Sequence, residues 1–304
     1  MKRGALLMAY GAPNSLDEVE AFYMDIRGGR KPAPEQLQEL IDRYKAIGGV
    51  SPLRDITIRQ ATALDKALGD DFKTYIGMRH WTPRIPEAIQ QMTDDGIEEA
   101  VAIVMAPHYS RLSIGKYLEI LDATLESTSS KIKFHKVEHW HTQPDYINAL
   151  EVRVREGVRR FEDNQQPSLA VVFTAHSLPE KILDWKDLYH NQLLETSWLL
   201  ADRLALKNWS FAYQSAGRTP DPWLGPDIME VINDLARKQT GSILVCPVGF
   251  IADHLEVLYD IDVEAMPHAE KLGMRMERVR MLNDDPMLID CLADLVRNVL
   301  AEEE

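Results

Sequence analysis

Cysteine is nearly absent: Cys246 and Cys291 are the two in 304 residues, with no metal-ligand spacing between them. A disulfide framework and a cysteine-ligated cluster are therefore not expected, and a cytoplasmic location is the default expectation. No apolar run reaches the roughly 18 residues that a membrane-spanning helix needs. The opening MKRGALLMAYGAP has two basic residues and a short apolar stretch, but Tyr10 and Pro13 interrupt it too soon for a signal peptide, and it reads as a first buried strand. Positive charge is also in short supply, with 34 Lys plus Arg against 48 Asp plus Glu and a net charge of −14. Such a chain repels nucleic-acid phosphates and anionic membrane surfaces, so neither is expected as a partner, whereas metal cations are attracted. Gly11, Gly48, Gly49 and Gly77 form neither a GxGxxG fingerprint nor a P-loop, and there is no G-x-S-x-G elbow for a nucleophilic serine such as Ser177.

What the chain does carry is an internal repeat. GALLMAYGAP (4–13) matches SLAVVFTAHSLP (168–179), each an apolar strand followed by a loop with proline. In the same order, 74–89 matches 211–232, 98–110 matches 241–254, and 132–150 matches 274–292. Four matched elements in one order imply duplication of an α/β unit. The strands are short Val/Ile/Leu/Ala-rich runs without strict alternation, and helical patterns at 34–47, 56–68 and 191–204 separate them. Buried parallel strands with crossover helices read this way. The expected fold is α/β: two similar Rossmann-like domains, 1–150 and 151–285, each a parallel sheet flanked by helices, with a cleft between them. A last helix, 286–304, corresponds to the one starting at Pro144, and the pattern leaves open whether it packs on its own half or joins the first. Ligands of such sheets bind beyond the carboxyl ends of the strands, where Tyr10, His80, His108 and His176 fall.

The second half also holds an acidic row. In FIADHLEVLYDIDVE (250–264), Glu256, Asp260 and Glu264 are spaced four apart, a repulsive arrangement on a helix by roughly 0.2–0.5 kcal/mol per pair. Apolar residues wrap most of the remaining circumference, which favours a narrow, partly buried acidic strip that a cation passes over a merely solvated face. Perfect α-geometry rotates every fourth residue by about 40°, so a local π-type widening is expected to help keep the row in line. His176, at the end of LAVVFTA, can serve there as base or metal ligand, and one imidazole with a carboxylate suits a loosely held borderline ion such as ferrous iron. His80 and His108 are expected in supporting roles, since no matching carboxylate stands beside them in sequence. His135, His139 and His141 alternate as on one face of an exposed edge strand. Arg27 and Arg43, among Phe22, Tyr23 and Tyr44, either recognise carboxylates or pair with Asp25, Glu39 and Asp42 on a solvated helix face.

LLMAYGAP, RYKAIGGVSPL, IGMRHWTP, TAHSLPEKI, QSAGRTPDPWLGPD and PVGFIADHLEVLYDID together resemble the ferrochelatases, and among them the bacterial coproporphyrin ferrochelatases, along nearly the whole chain. The resemblance implies two Rossmann-like halves that insert ferrous iron, as substrate, into coproporphyrin III to give iron coproporphyrin in haem biosynthesis. It places His176 and Glu256 at the iron site, Asp260 and Glu264 behind it, and Tyr10 as a ligand from the opposite face of the macrocycle. Arg27, Arg43, Tyr44, Ser51 and Tyr117 match porphyrin-contacting positions. Gly28 stands where relatives often carry a second basic residue, which removes one propionate contact from the expectation. No permanently bound cofactor and no iron–sulfur cluster are expected, since the chain stops at Glu304 without the extension that carries a cluster in some members. A monomer that hands its product to the next enzyme of the haem pathway is the corresponding expectation. The alternatives are a protoporphyrin IX ferrochelatase, another tetrapyrrole chelatase, and a non-enzymatic two-lobed metal- or haem-binding protein.

Overall fold

A computed structural model describes residues 2–162, 168–217 and 219–301. Four apolar runs become parallel strands: β1 (Arg3–Ala9), β2 (Phe72–Met78), β3 (Glu99–Val104) and β4 (Lys133–Val137), in the order β2-β1-β3-β4. A second parallel sheet repeats that order four strands later. It contains β5 (Leu169–His176), β6 (Trp209–Gln214), β7 (Ser242–Cys246) and β8 (Arg275–Arg278), arranged β6-β5-β7-β8. The two central strands of each sheet are covered on both faces, which is why β1 and β5 carry unbroken runs of buried residues instead of alternating.

The connections are helical where the sequence supplies caps and one apolar face. They are α1 (Val19–Ile26), α2 (Pro34–Ala46), α3 (Leu53–Leu68), α4 (Ile85–Asp94), α5 (Ile114–Ser127), α6 (Pro144–Val158), α7 (Tyr189–Arg203), α8 (Ile228–Arg237), α9 (Met266–Lys271) and α10 (Pro286–Ala301). Pro144 starts α6 with the Gln143 side chain accepting from the Asp145 and Tyr146 amides, and Asp227 with Glu230 forms a capping box on α8. The acidic row falls on a π-helix, Val257–Ala265, and the Met266 amide bonds back five residues to the Ile261 carbonyl. The widened turn expected from the four-residue spacing is thus present.

The sheets sandwich a shared middle layer. One apolar core joins β1, β3, β5 and β7 to α3, α6, α7 and α10, while separate clusters cover the outer faces, α4 and α5 on the first sheet and α8 with the π-helix on the second. Within the middle layer the halves exchange helices. After β4, α6 crosses to pack against α7 and β7, and after β8, α10 crosses back against α3, β3 and β4. Gly157 permits the first crossing, because a Cβ there would lie 2.8 Å from both methyls of Leu244. The division expected after residue 150 therefore falls inside α6, a helix that belongs spatially to both halves, and α10 packs on the first half; residues 302–304 of the expected last helix lie outside the described residues. Among the described residues no helix is long and apolar enough to cross a membrane.

Candidate active site

The carboxyl ends of β1 and β5 open on one cavity of about 480 Å³ between the sheets. Its apolar walls include Phe22, Leu40, Leu53, Phe250 and Ile251, and polar groups enter from both halves. From the first come Tyr10, Tyr44, Ser51, Arg79, His80 and Tyr117; from the second come His176, His254 and Glu256. The loop after β7 can lie across the end of β5 because residue 249 is glycine: a Cβ there would sit 2.4 Å from that of Ala175. That close approach carries His254 and Glu256 to His176.

His176 closes β5, and its Nδ1 hydrogen-bonds the Ser177 carbonyl. A carbonyl oxygen only accepts, so in the neutral ring the proton is on Nδ1 and Nε2 keeps a lone pair. Nε2 lies 3.6 Å from Glu256 Oε1, and the other carboxylate oxygen lies 3.8 Å from His254 Nε2. His254 is oriented alike, its Nδ1 donating to the Ala252 carbonyl at 3.0 Å. Burial pushes the Glu256 carboxyl up, but the positive charge that His176 and His254 carry when protonated, with hydrogen bonds from His254 and Ser215, outweighs it and holds the group at about 2. Glu256 is therefore an anion between two imidazoles.

One π-turn further, Asp260 is 7% exposed, bonded by the Ser215 hydroxyl and 3.6 Å from Arg43 Nη1. Burial drives its carboxyl up to about 6, with Glu256 and Glu264 adding to the rise against Ser215 and Arg43. Glu264 is exposed. The row thus leads from cavity wall through a buried, weakly acidic carboxyl to solvent.

In the first half, Tyr10 follows β1, and its ring centroid lies 4.6 Å from that of His80 with the planes tilted by 56°. Burial raises the Tyr10 phenol to about 12, with Glu256 adding to it. His80 Nδ1 donates to Asp25 at 2.9 Å, and Arg84 holds the other oxygen of Asp25 at 2.7 Å. The carboxylate that sequence spacing did not supply to His80 comes from α1. Burial lowers the His80 pKa more than Asp25 restores it, so the ring is neutral at pH 7.

The two expected arginines part company. Arg43 turns from the cavity: it contacts Glu39 at 3.2 Å and Asp260, and lies 4.8 Å over the Tyr259 ring, tying α2 to the π-helix. Arg27, at the end of α1, lies 5.5 Å over Tyr23, a cavity residue, with its Nε buried and unbonded. Arg79 was not singled out by sequence. It lines the cavity 5.5 Å over the Tyr117 ring, and among the described residues it has no carboxylate within ion-pair distance. The signal was there, since Arg79 stands beside His80 at a strand end; so was that for His254, two residues before Glu256.

The histidine stripe is not one. Strand β4 ends at Val137, so it holds His135 alone, buried against Glu99 at 3.0 Å, while His139 and His141 follow in a turn. His141 Nε2 bonds Glu195 at 2.9 Å, and His108 Nε2 bonds Thr196 at 2.9 Å. These buried rings seal the seam between the first half and α7. Among the described residues no group of three or more His, Cys, Asp and Glu side chains is arranged to hold a metal ion.

Two same-ordered parallel sheets closing on such a cavity define a two-lobed chelatase fold. Two solved chelatase structures share it: SirB from Bacillus subtilis with Fe3+ at a TM-score of 0.66, 11% identity and coverage of 100% of this chain and 97% of its own, and CbiX, described as the terminal enzyme for siroheme biosynthesis in denitrifying bacteria, at 0.53, 10%, 96% and 97%. At that identity the likeness concerns the fold. The ferrochelatase family model matches residues 2–300, and the chain belongs to that family. Similar relatives include a ferrochelatase of Herpetosiphon aurantiacus, 41% identical over 97% of this chain and 98% of its own length. A coproporphyrin III ferrochelatase of Halalkalibacterium halodurans is 44% identical over 100% and 99%.

Proposed function

We propose that the chain inserts ferrous iron into coproporphyrin III, releasing two protons and giving iron coproporphyrin. The observation that carries the substrate choice is Arg79, a cation on the cavity wall with no carboxylate partner among the described residues. A carboxylate-bearing ligand satisfies it, and Arg27 with its unbonded Nε offers a second such contact at the rim. The apolar walls suit the macrocycle itself. The names of the relatives from Halalkalibacterium halodurans and Bacillus anthracis, the latter 43% identical over 99% of this chain, support the four-propionate ring.

In this reading the second half supplies the metal side. His176 Nε2 takes a pyrrole proton or contacts iron, and Glu256, too weak a base to hold a proton at neutral pH, stays anionic toward the cation. Asp260, near 6, is the better proton acceptor, so protons leave along Asp260 toward Glu264 while the charge of Glu256 draws iron in. Tyr10, a neutral phenol at pH 7, reaches the iron from the first half once the metal's charge favours the phenolate. Binding a bent ring, with the strain offset by contacts to its edge, exposes the pyrrole nitrogens. The protein acts in the cytoplasm as a monomer, holds no permanent cofactor, and passes its product to the next enzyme of the pathway.

The test is anaerobic turnover. Wild-type protein mixed with excess ferrous iron and coproporphyrin III should convert many equivalents of free-base to metalloporphyrin absorption. Conversion that stops at one equivalent contradicts an enzyme and matches a binding protein.

A further inference from the structure

The loop before the π-helix and the middle of that helix meet at one buried guanidinium. Arg278, the last residue of β8, has a side chain 12% exposed. Its Nε lies 2.8 Å from Asp262 Oδ1 and its Nη2 2.9 Å from Asp262 Oδ2, while Nη2 also lies 3.1 Å from Asp253 Oδ1. Nη1 donates to the Val279 carbonyl at 3.1 Å. Asp253 precedes Glu256 and Asp262 follows Asp260, so one guanidinium binds a carboxylate on either side of that pair in the chain.

Asn283 adds a second tie. Its Oδ1 accepts from the Asp253 amide and its Nδ2 donates to Asp253 Oδ2, both at 2.8 Å, and its amide donates to the Ile251 carbonyl at 2.8 Å. The Asn283 carbonyl in turn accepts from Gln60 Nε2 at 2.6 Å, and Gln60 is a cavity residue of α3 in the first half. The clamp is therefore anchored to both lobes.

A π-ladder is rarer and less favourable than an α-ladder, so a nine-residue run of it needs external support. Reversion to α-geometry would turn the residues past the change by about 100° per residue of register shift and take Asp260 off the line that starts at Glu256. A planar fork can bridge two carboxylates in fixed directions, and a lysine point charge cannot. We propose that Arg278 is a positioning residue for metal delivery: by binding Asp253 and Asp262 together it holds the π-helix in register, so that Glu256 and Asp260 keep their line from surface to cavity. The delivery role rests on the reading of the cavity as a site of metal insertion.

The experiment uses the full chain with Asp262→Asn, the milder change, and Arg278→Lys, which keeps the charge. Hydrogen exchange is measured at 257–265 and at α4 as a control on the far face of the first sheet, and initial rates are measured against ferrous iron and against coproporphyrin III. Both variants should exchange about tenfold faster at 257–265 with α4 unchanged, and raise KM for iron about fivefold with KM for the porphyrin within about twofold. Unchanged exchange at 257–265, an equal rise throughout the chain, or an unchanged KM for iron overturns the proposal. Should wild-type protein fail to turn over, the insertion reading falls, and the exchange comparison alone decides whether Arg278 holds the helix.

Discussion

His176 Nε2 faces Glu256 Oε1 across 3.6 Å, a separation that a shared cation closes with a small side-chain movement. The imidazole offers a lone pair and the carboxylate a full negative charge, so neither can replace the other.

His176→Ala and Glu256→Gln should each slow iron insertion by about 100-fold or more, the scale of a lost acid–base or metal-contacting group. Porphyrin affinity, read from the absorption change on binding without metal, should stay within about threefold. A matching loss of affinity would make both residues structural.

Asp260 should trade stability for function. Its folded-state pKa, about 6, lies above the ordinary 3.8, so the protonated form is favoured on folding. That contribution is full below about pH 4 and lost as pH rises through 6, up to about 3 kcal/mol. Asp260→Asn should therefore raise stability at pH 7.5 relative to wild type, with the gain vanishing near pH 4 in urea melts. If ionised Asp260 accepts the outgoing protons, wild-type kcat should climb between pH 5 and 7 and the variant should run low and flat.

Arg79→Met should raise KM for coproporphyrin III about tenfold, the loss of one charge-assisted contact, and leave KM for iron unchanged. Steady-state titration of each substrate separates the two.

The exchange of helices gives the lobes a common fate. Leu292 of α10 is fully buried in the core that both sheets share. Leu292→Ala should cost about 2–5 kcal/mol and keep a single unfolding transition by circular dichroism and tryptophan fluorescence alike. Two separated transitions would contradict the shared core.

Much of this was legible in sequence because strand periodicity and the repeat are local or in-order signals. The duplicated sheets, the π-widening at 257–265 and the convergence of His176 with Glu256 follow from such patterns. What escaped depends on contacts between distant segments. Asp25 reaches His80 from 55 residues away, and α10 packs on the half it does not follow. Arg43 and Arg79 look equally available as letters, and their roles divide once Asp260 takes the first while, among the described residues, no carboxylate takes the second. His135 and His141 read as an exposed stripe because a strand end at Val137 is invisible to alternation alone.

The most direct measurement is kcat/KM for ferrous iron insertion under anaerobic conditions, compared between coproporphyrin III and protoporphyrin IX. The four-propionate ring should be preferred by about tenfold or more, one charge-assisted contact's worth of discrimination. Equal rates, or faster insertion into protoporphyrin IX, would contradict the account.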